Sequence, residues 1–261
     1  MILTLDAKTL RGNFKPSTAA EKEFYRQLKK VAIVSGHIID QHANGAFLKN
    51  EKEMQRELDR YAKKIEPWAS RQALKMLQKV QNSNKRAYTQ KSKAIGKALK
   101  TGIADNDIGE LTLALLNEQV GLITSIPTEA GLRAQKIAYE AFFTGSRANV
   151  TAESIAELAK EMGASTDVAI SRAYLIARTE TARANAVINQ QRAMNVGSLQ
   201  YRWHNSGDGA VRESHRIYKG QRLQGMIFSW DNPPTLDDGM KGHPGTFPNC
   251  RCFAEPIFLE E

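Results

Sequence analysis

Cysteine is nearly absent from this sequence. Only Cys250 and Cys252 occur in 261 residues, and with one residue between them a mutual disulfide would be strained at the Cα separation of an extended strand. A fold stapled by oxidation is therefore excluded. Long apolar runs are missing as well: no stretch of about 18 apolar residues is there to span a bilayer. Met1 to Lys15 interrupts its apolar residues with Asp6, Lys8 and Arg11, unlike a secretory leader, so a cytoplasmic folding environment is expected. Aromatics amount to only 7%, and the 8 prolines and 18 glycines are scattered rather than clustered, which argues against disorder and collagen-like repetition. What remains is 41% hydrophobic and 25% charged residues, enough to bury a sizeable core in one large domain or two small ones. No internal repeat or low-complexity tract is evident.

The formal charge of +9 is unevenly placed. Residues 1–100 hold 22 basic and 9 acidic side chains, a net +13, whereas residues 101–200 net −3 and residues 201–261 net −1. From Arg60 to Lys100 there are twelve basic residues and one acid, Glu66. This segment reads as a helix opening near Pro67 and stopping before Gly102. At 100° per residue, Lys64, Arg71, Lys75, Lys79, Arg86, Lys93, Lys97 and Lys100 fall in one sector about 80° wide, opposite Ala73, Met76, Leu77, Val80, Ala87, Ile95 and Ala98. A solvated face that aids solubility is one account. The other starts from repulsion: like charges at i, i+4 cost about 0.2–0.5 kcal/mol per pair, which a polyanion or acidic partner relieves. Such a ridge engages phosphates and carries no base-reading pattern.

Helix punctuation recurs before residue 197. Thr18 with Glu21, Asn50 with Glu53 and Asp107 with Glu110 have the capping-box spacing, and Asn44 with Gly45 marks a stop. Helices are predicted over about 107–125, 128–144, 151–162 and 166–195. After Gly197 the pattern changes to the alternation of Leu199, Tyr201 and Trp203, a short run at Ile227, Phe228 and Trp230, and a last extended run from Cys250 to Phe258. Five of the intervening residues are Pro233, Pro234, Gly239, Pro244 and Pro248, which bar regular structure from about 232 to 249. The predicted fold is mainly α: a basic helical arm over 1–105, a helical bundle over 106–197, and a small α+β, loop-rich C-terminal module over 198–261.

Chemistry-bearing residues concentrate in that module. His204, His215 and His243 accompany both cysteines and Asp208, Asp237 and Asp238. Two thiolates, Cys250 and Cys252, with the imidazoles of His215 and His243, make a four-donor set for a structural zinc ion. Against it, Cys-x-Cys is tighter than the usual Cys-x2-4-Cys, and in a strand both side chains point to one face. In the alternative the cysteines are small apolar core residues and the histidines hydrogen-bonded supports. A hydrolase would use His204 or His215 as base, oriented by Asp208 or Asp237. No nucleophile elbow, phosphate-cradling loop or paired zinc-helix histidines accompany it. His37 and His42 sit on the first helix with no partner suggested by sequence.

Two strings occur together: Ala177-Arg178-Thr179-Glu180, followed by the small residues Ala182, Ala184, Asn185 and Ala186, and later Trp203, Asp208, Val211-Arg212, Ser214-His215, Gly220 and Pro248-Asn249-Cys250-Arg251-Cys252 with Pro256. This order resembles the phage head morphogenesis family, the Mu F-like minor head proteins of tailed bacteriophages, over about residues 120–258. The basic helices before residue 105 are outside the resemblance. It implies a low-copy virion component at the portal vertex, needed for head assembly or for genome packaging or ejection, with the portal protein, the major capsid protein and packaged double-stranded DNA as partners. It implies no enzymatic activity and no cofactor. Carried over by position, Arg178, Thr179, Glu180, Asp208, Arg212, His215, Asn249, Cys250, Arg251 and Cys252 become architectural residues. Arg178 and Glu180 are then expected to tie the long helix to the tail, and Arg212 or Arg251 to pair with Asp208 or Asp237. The alternatives are a metal-dependent nuclease or hydrolase of the virion and a non-specific DNA-binding protein.

Overall fold

A computed structural model describes residues 14–43, 47–94, 105–145, 164–207 and 209–258. Four long helices come first: α1 (Thr18–Ala43), α2 (Phe47–Ala94), α3 (Asp105–Gly145) and α4 (Ala164–Asn195). Strands β1 (Gln200–His204), β2 (Ile217–Tyr218), β3 (Gln221–Arg222), β4 (Ile227–Ser229) and β5 (Phe253–Ile257) follow, with a 3₁₀ turn at Glu213–His215. The mainly α architecture with a small α+β end is the one expected. Among the described residues, no helix is long and apolar enough to cross a membrane.

Several boundaries differ from the sequence reading, each for a local reason. The first helix is capped by Ser17, whose hydroxyl accepts the Ala20 N–H at 3.3 Å, so the Thr18 capping box does not form. Asn50 and Pro67 do not open helices, because α2 is already helical at Phe47 and continues through both. Pro67 is exposed, and on that face water can satisfy the carbonyl that loses its N–H donor. Likewise Asp105–Gly145 is one helix where two were predicted, with Pro127 inside it. Upstream of that proline the Thr124 hydroxyl reaches the carbonyls of Val120 and Gly121, and that of Ser125 donates to Leu122. The Asn44-Gly45 stop and the helix over 151–162 lie outside the described residues.

The chain divides into two compact units. One comprises Lys22–Ala73 and Asn117–Ala177 and is entirely helical among the described residues. Its buried side chains, such as Phe24, Leu28, Val31, Met54, Leu58, Ile123 and Ile126, follow helical spacing. Small residues set its close approaches: a Cβ on Gly36 would lie 1.9 Å from Thr166 Oγ1, and one on Gly131 would lie 2.6 Å from Leu58 Cδ1. His42 has a partner after all, the Glu57 carboxylate at 2.8 Å.

The other unit comprises Met1–Glu21, Leu74–Leu116 and Arg178–Glu261. Its sheet has the order β4-β1-β5, both neighbours antiparallel to β1, with Tyr201 opposite Phe228 and Pro256. Tyr201 and Trp203 are fully buried among Leu223, Trp230, Phe247 and Phe253. Leu199, the first residue of the predicted alternation, is instead 73% exposed. It precedes the strand, and its role is through its carbonyl, which accepts the Trp230 N–H at 3.1 Å. Strands β2 and β3 form a hairpin whose two loop residues, Lys219 and Gly220, both have positive φ, as a type I′ turn requires.

Candidate functional site

The C-terminal motif residues converge on one side of α4. Ala182 and Ala186, one turn apart, admit the loop at Gly245: a Cβ there would meet Ala186 Cβ at 3.2 Å and the Cys252 carbonyl at 3.0 Å. Gly245 also has φ 91°, so it is required both sterically and conformationally. This accounts for the small-residue run after Glu180.

A single peptide unit is then clamped from both ends. The Pro248 carbonyl accepts a hydrogen bond from Arg212 Nη2 at 2.7 Å, and the following Asn249 N–H donates to Thr179 Oγ1 at 2.9 Å. Asn249 has φ 57°, a left-handed conformation that asparagine tolerates better than most residues. Thr179, Arg212 and Asn249 are thus brought together. The hydrogen bonds of Arg212 and Asp237 are not to each other. Arg212 reaches a carbonyl, while Asp237 accepts the Lys219 N–H at 3.1 Å on each carboxylate oxygen. Glu180 holds Arg183 on its own helix at 3.0 Å. Asp208 lies outside the described residues.

Beneath the clamp sit His215, Cys250 and Cys252, all buried. The His215 Nδ1 is 3.5 Å from Cys250 Sγ and 3.6 Å from Cys252 Sγ. The Cys250 thiol is held well below its usual range by its hydrogen bond to Cys252, with His215 adding to the effect and burial opposing it. Both cysteines precede β5 rather than lying in it. His243 does not join them. Its Nδ1 meets the Tyr201 hydroxyl at 3.1 Å and its Nε2 meets Gln190 at 3.2 Å, and burial lowers its pKa. The four-donor set predicted from sequence is therefore reduced to a trio.

A second polar cluster was not foreseen. Glu255 on β5 accepts from Lys91 Nζ at 2.7 Å through one oxygen and pairs with His204 Nε2 at 2.8 Å through the other. Gln224 fixes the tautomer: its Oε1 accepts the Asn205 N–H at 2.7 Å, so its amide Nε2 faces His204 Nδ1 at 2.9 Å. Nδ1 accepts, and Nε2–H donates to Glu255. With both nitrogens engaged and 3% exposure, His204 does not form the base-and-aspartate pair expected of a hydrolase. Burial alone would raise the Glu255 carboxyl, but the His204 hydrogen bond and the Lys91 ammonium outweigh it and the net shift is downward. The one sequence signal for this cluster was Lys91, a lysine on the apolar side of a basic helix.

Apart from Lys91, the basic side chains of α2 whose burial is described are exposed. Within Leu74–Leu116, Lys75, Lys79 and Arg86 are exposed while Met76, Leu77, Val80, Ala87 and Tyr88 are buried; within Lys22–Ala73, Lys64 and Arg71 are exposed. Lys93 is in α2, though its side chain is outside the described ones, and Lys97, Lys100, Ile95 and Ala98 lie outside the described residues altogether.

Comparison with known proteins adds identity to this geometry. Residues 146–255 match the family described as phage Mu protein F like protein. An uncharacterized protein of Haemophilus influenzae is 35% identical over 151 residues, 58% of this chain and 30% of that relative. This chain therefore spans less than a third of the relative's length. No solved structure matches. The matched stretch holds every clamp and trio residue, from Thr179 and Arg212 through His215 to Asn249, Cys250 and Cys252, so the geometry described above lies within the part of the chain that is similar to the phage Mu protein F-like family.

Proposed function

We propose that this chain is a structural minor protein of a tailed-phage head, acting in head morphogenesis at the portal vertex and touching packaged double-stranded DNA through its exposed cations. The family match over residues 146–255 carries the head assignment. The supporting geometry is architectural: the motif residues are spent on a peptide clamp, a buried trio and close helix packing. Of the groups considered for a hydrolase, His204 is engaged by Glu255 and Gln224 and Asp237 by the Lys219 N–H.

Five exposed cations, Lys64, Arg71, Lys75, Lys79 and Arg86, support sequence-blind phosphate contact. Binding of this kind weakens with salt at a slope of about −0.9 per phosphate neutralised. In this reading the chain works at the inner capsid, with the portal or major capsid protein as its neighbour. The test is co-expression with a portal protein from the same phage genome. Tagged chain that copurifies with portal oligomers, and is present in finished particles by mass spectrometry, supports the proposal. A chain absent from both, or one that cleaves plasmid DNA, defeats it.

A further inference from the structure

His215, Cys250 and Cys252 come from a 3₁₀ turn and from the segment entering β5, and nothing in the head-protein reading uses their chemistry. One imidazole nitrogen and two sulfurs lie within 4.8 Å of one another, and all three residues are buried. The two nitrogen–sulfur distances, 3.5 and 3.6 Å, involve the same atom, Nδ1. An imidazole nitrogen offers either one lone pair or one proton, so it makes a well-aligned hydrogen bond to one sulfur, not to two at equal distance.

A cation shared by all three atoms removes that conflict. On a tetrahedral zinc, bonds of about 2.3 Å to sulfur and about 2.0–2.1 Å to nitrogen place N and S about 3.5–3.6 Å apart, which is the spacing found here. The donor type agrees: two sulfurs and an imidazole without a carboxylate suit zinc, not the oxygen-seeking magnesium or calcium.

The surroundings fix the ring by packing instead of by a hydrogen bond. The His215 ring packs against Trp203 and Phe247, with centroids 5.8 and 5.0 Å away, and its Nε2 has no hydrogen-bond partner among the described residues. Aromatic packing therefore orients the ring and leaves Nδ1 facing the sulfurs. The Cys252 N–H also lies 3.4 Å from Cys250 Sγ, so the backbone turns around the sulfur instead of running straight through a strand. That local turn answers the objection that Cys-x-Cys is too tight for a site.

We propose that His215 Nδ1, Cys250 Sγ and Cys252 Sγ bind one zinc ion, which staples the Glu213–His215 turn to the start of β5. A fourth position is left to a ligand outside this trio. The segment from 232 to 249 has no regular element beyond a single bridge between Thr235 and Lys241, so a metal at its far end holds in place a loop that backbone ladders do not.

The test uses the full-length chain, purified without chelator, analysed for metal, then stripped and refilled with cobalt(II). The expected result is about one zinc per chain, a thiolate-to-cobalt charge-transfer band that added zinc abolishes, and a lower thermal midpoint after chelation. Combined Cys250→Ser and Cys252→Ser should reduce zinc content by about tenfold or more, while His243→Ala retains it. Folded wild-type protein with neither zinc nor the cobalt–sulfur band overturns the proposal, as does zinc content unchanged in the double serine variant. If that variant fails to fold, the wild-type cobalt spectrum decides: a sulfur band supports the site, and a weak spectrum without one overturns it.

Discussion

The helical unit of Lys22–Ala73 and Asn117–Ala177 and the C-terminal half of the other unit fill their interiors by different means. In the first, apolar residues recur at helical spacing and small residues such as Gly36 and Gly131 set the packing distance. In the second, chains of polar contacts run through the interior. Arg192 donates to the Gln81 carbonyl and Asn84, Asn84 meets Asn189, and Asn189 donates to the Ala254 carbonyl. The difference bears on specificity. Apolar stripes accept many registers at modest cost, whereas a buried donor without its acceptor costs its full desolvation penalty, so the polar interior admits one arrangement.

The sharpest way to break this contrast is at Glu255. Its replacement by Gln leaves the Lys91 ammonium buried without a counter-charge and should cost about 3–5 kcal/mol, read as a fall in the urea midpoint at unchanged slope. A fall no larger than that of a surface substitution would mean the polar interior is ornamental. Replacing Lys91 by Met together with Glu255 by Leu should recover only part of the stability: the apolar pair needs no partner, but the buried His204 Nε2–H loses its acceptor.

In the helical unit, Gly36→Ala forces a methyl against Thr166 and should cost about 1–3 kcal/mol through overpacking. Pairing it with Thr166→Gly should recover part of the loss, since that change removes both side-chain atoms, Oγ1 and Cβ, that the methyl would meet at 1.9 and 2.8 Å. No such repair by truncation is expected at Glu255.

Acid separates the two regions without mutation. The Glu255 carboxyl lies below its ordinary value in the folded chain, so it binds protons less readily there than in the unfolded chain. Its contribution is complete above the ordinary carboxylate range and is lost as pH falls through the lowered folded value. Urea midpoints measured from neutral to acid pH should therefore fall more steeply for wild type than for Glu255→Gln. Parallel curves would remove this residue from the acid response.

Smaller still is the clamp. Thr179→Val removes the acceptor of the Asn249 N–H and should cost about 1 kcal/mol, with faster amide exchange confined to the segment around residue 249. The smallest stability effect is expected for combined Lys75→Gln, Lys79→Gln and Arg86→Gln, within about 0.5 kcal/mol of wild type. The same variant should nonetheless flatten the salt dependence of duplex binding by up to about 2.7 in slope, about 0.9 for each phosphate that a removed cation had neutralised. Unchanged slope would detach these cations from DNA.

Much of the fold was legible because its rules are local. Helical spacing placed Met76, Leu77, Val80 and Ala87 inside and Lys75, Lys79 and Arg86 outside, and alternation placed Tyr201 and Trp203 in a buried strand. Prolines misled, because Pro67 and Pro127 read as boundaries while the helices run through them. The motif residues were legible as a set, but their partners were not. No local pattern prefers the Pro248 carbonyl over an aspartate for Arg212, or sends His243 to Tyr201 and Gln190 instead of to the cysteines.

By itself the sequence determined the helical content, the outward basic side chains and the inventory of chemistry-bearing residues, since each depends on neighbours within a few positions along the chain. Only the tertiary structure decided which of those residues meet. Lys91 and Glu255 are 164 residues apart, and His215 lies 35 and 37 residues from the two cysteines. Over such separations the path of the folded backbone sets the distance between side chains, and no periodicity encodes it.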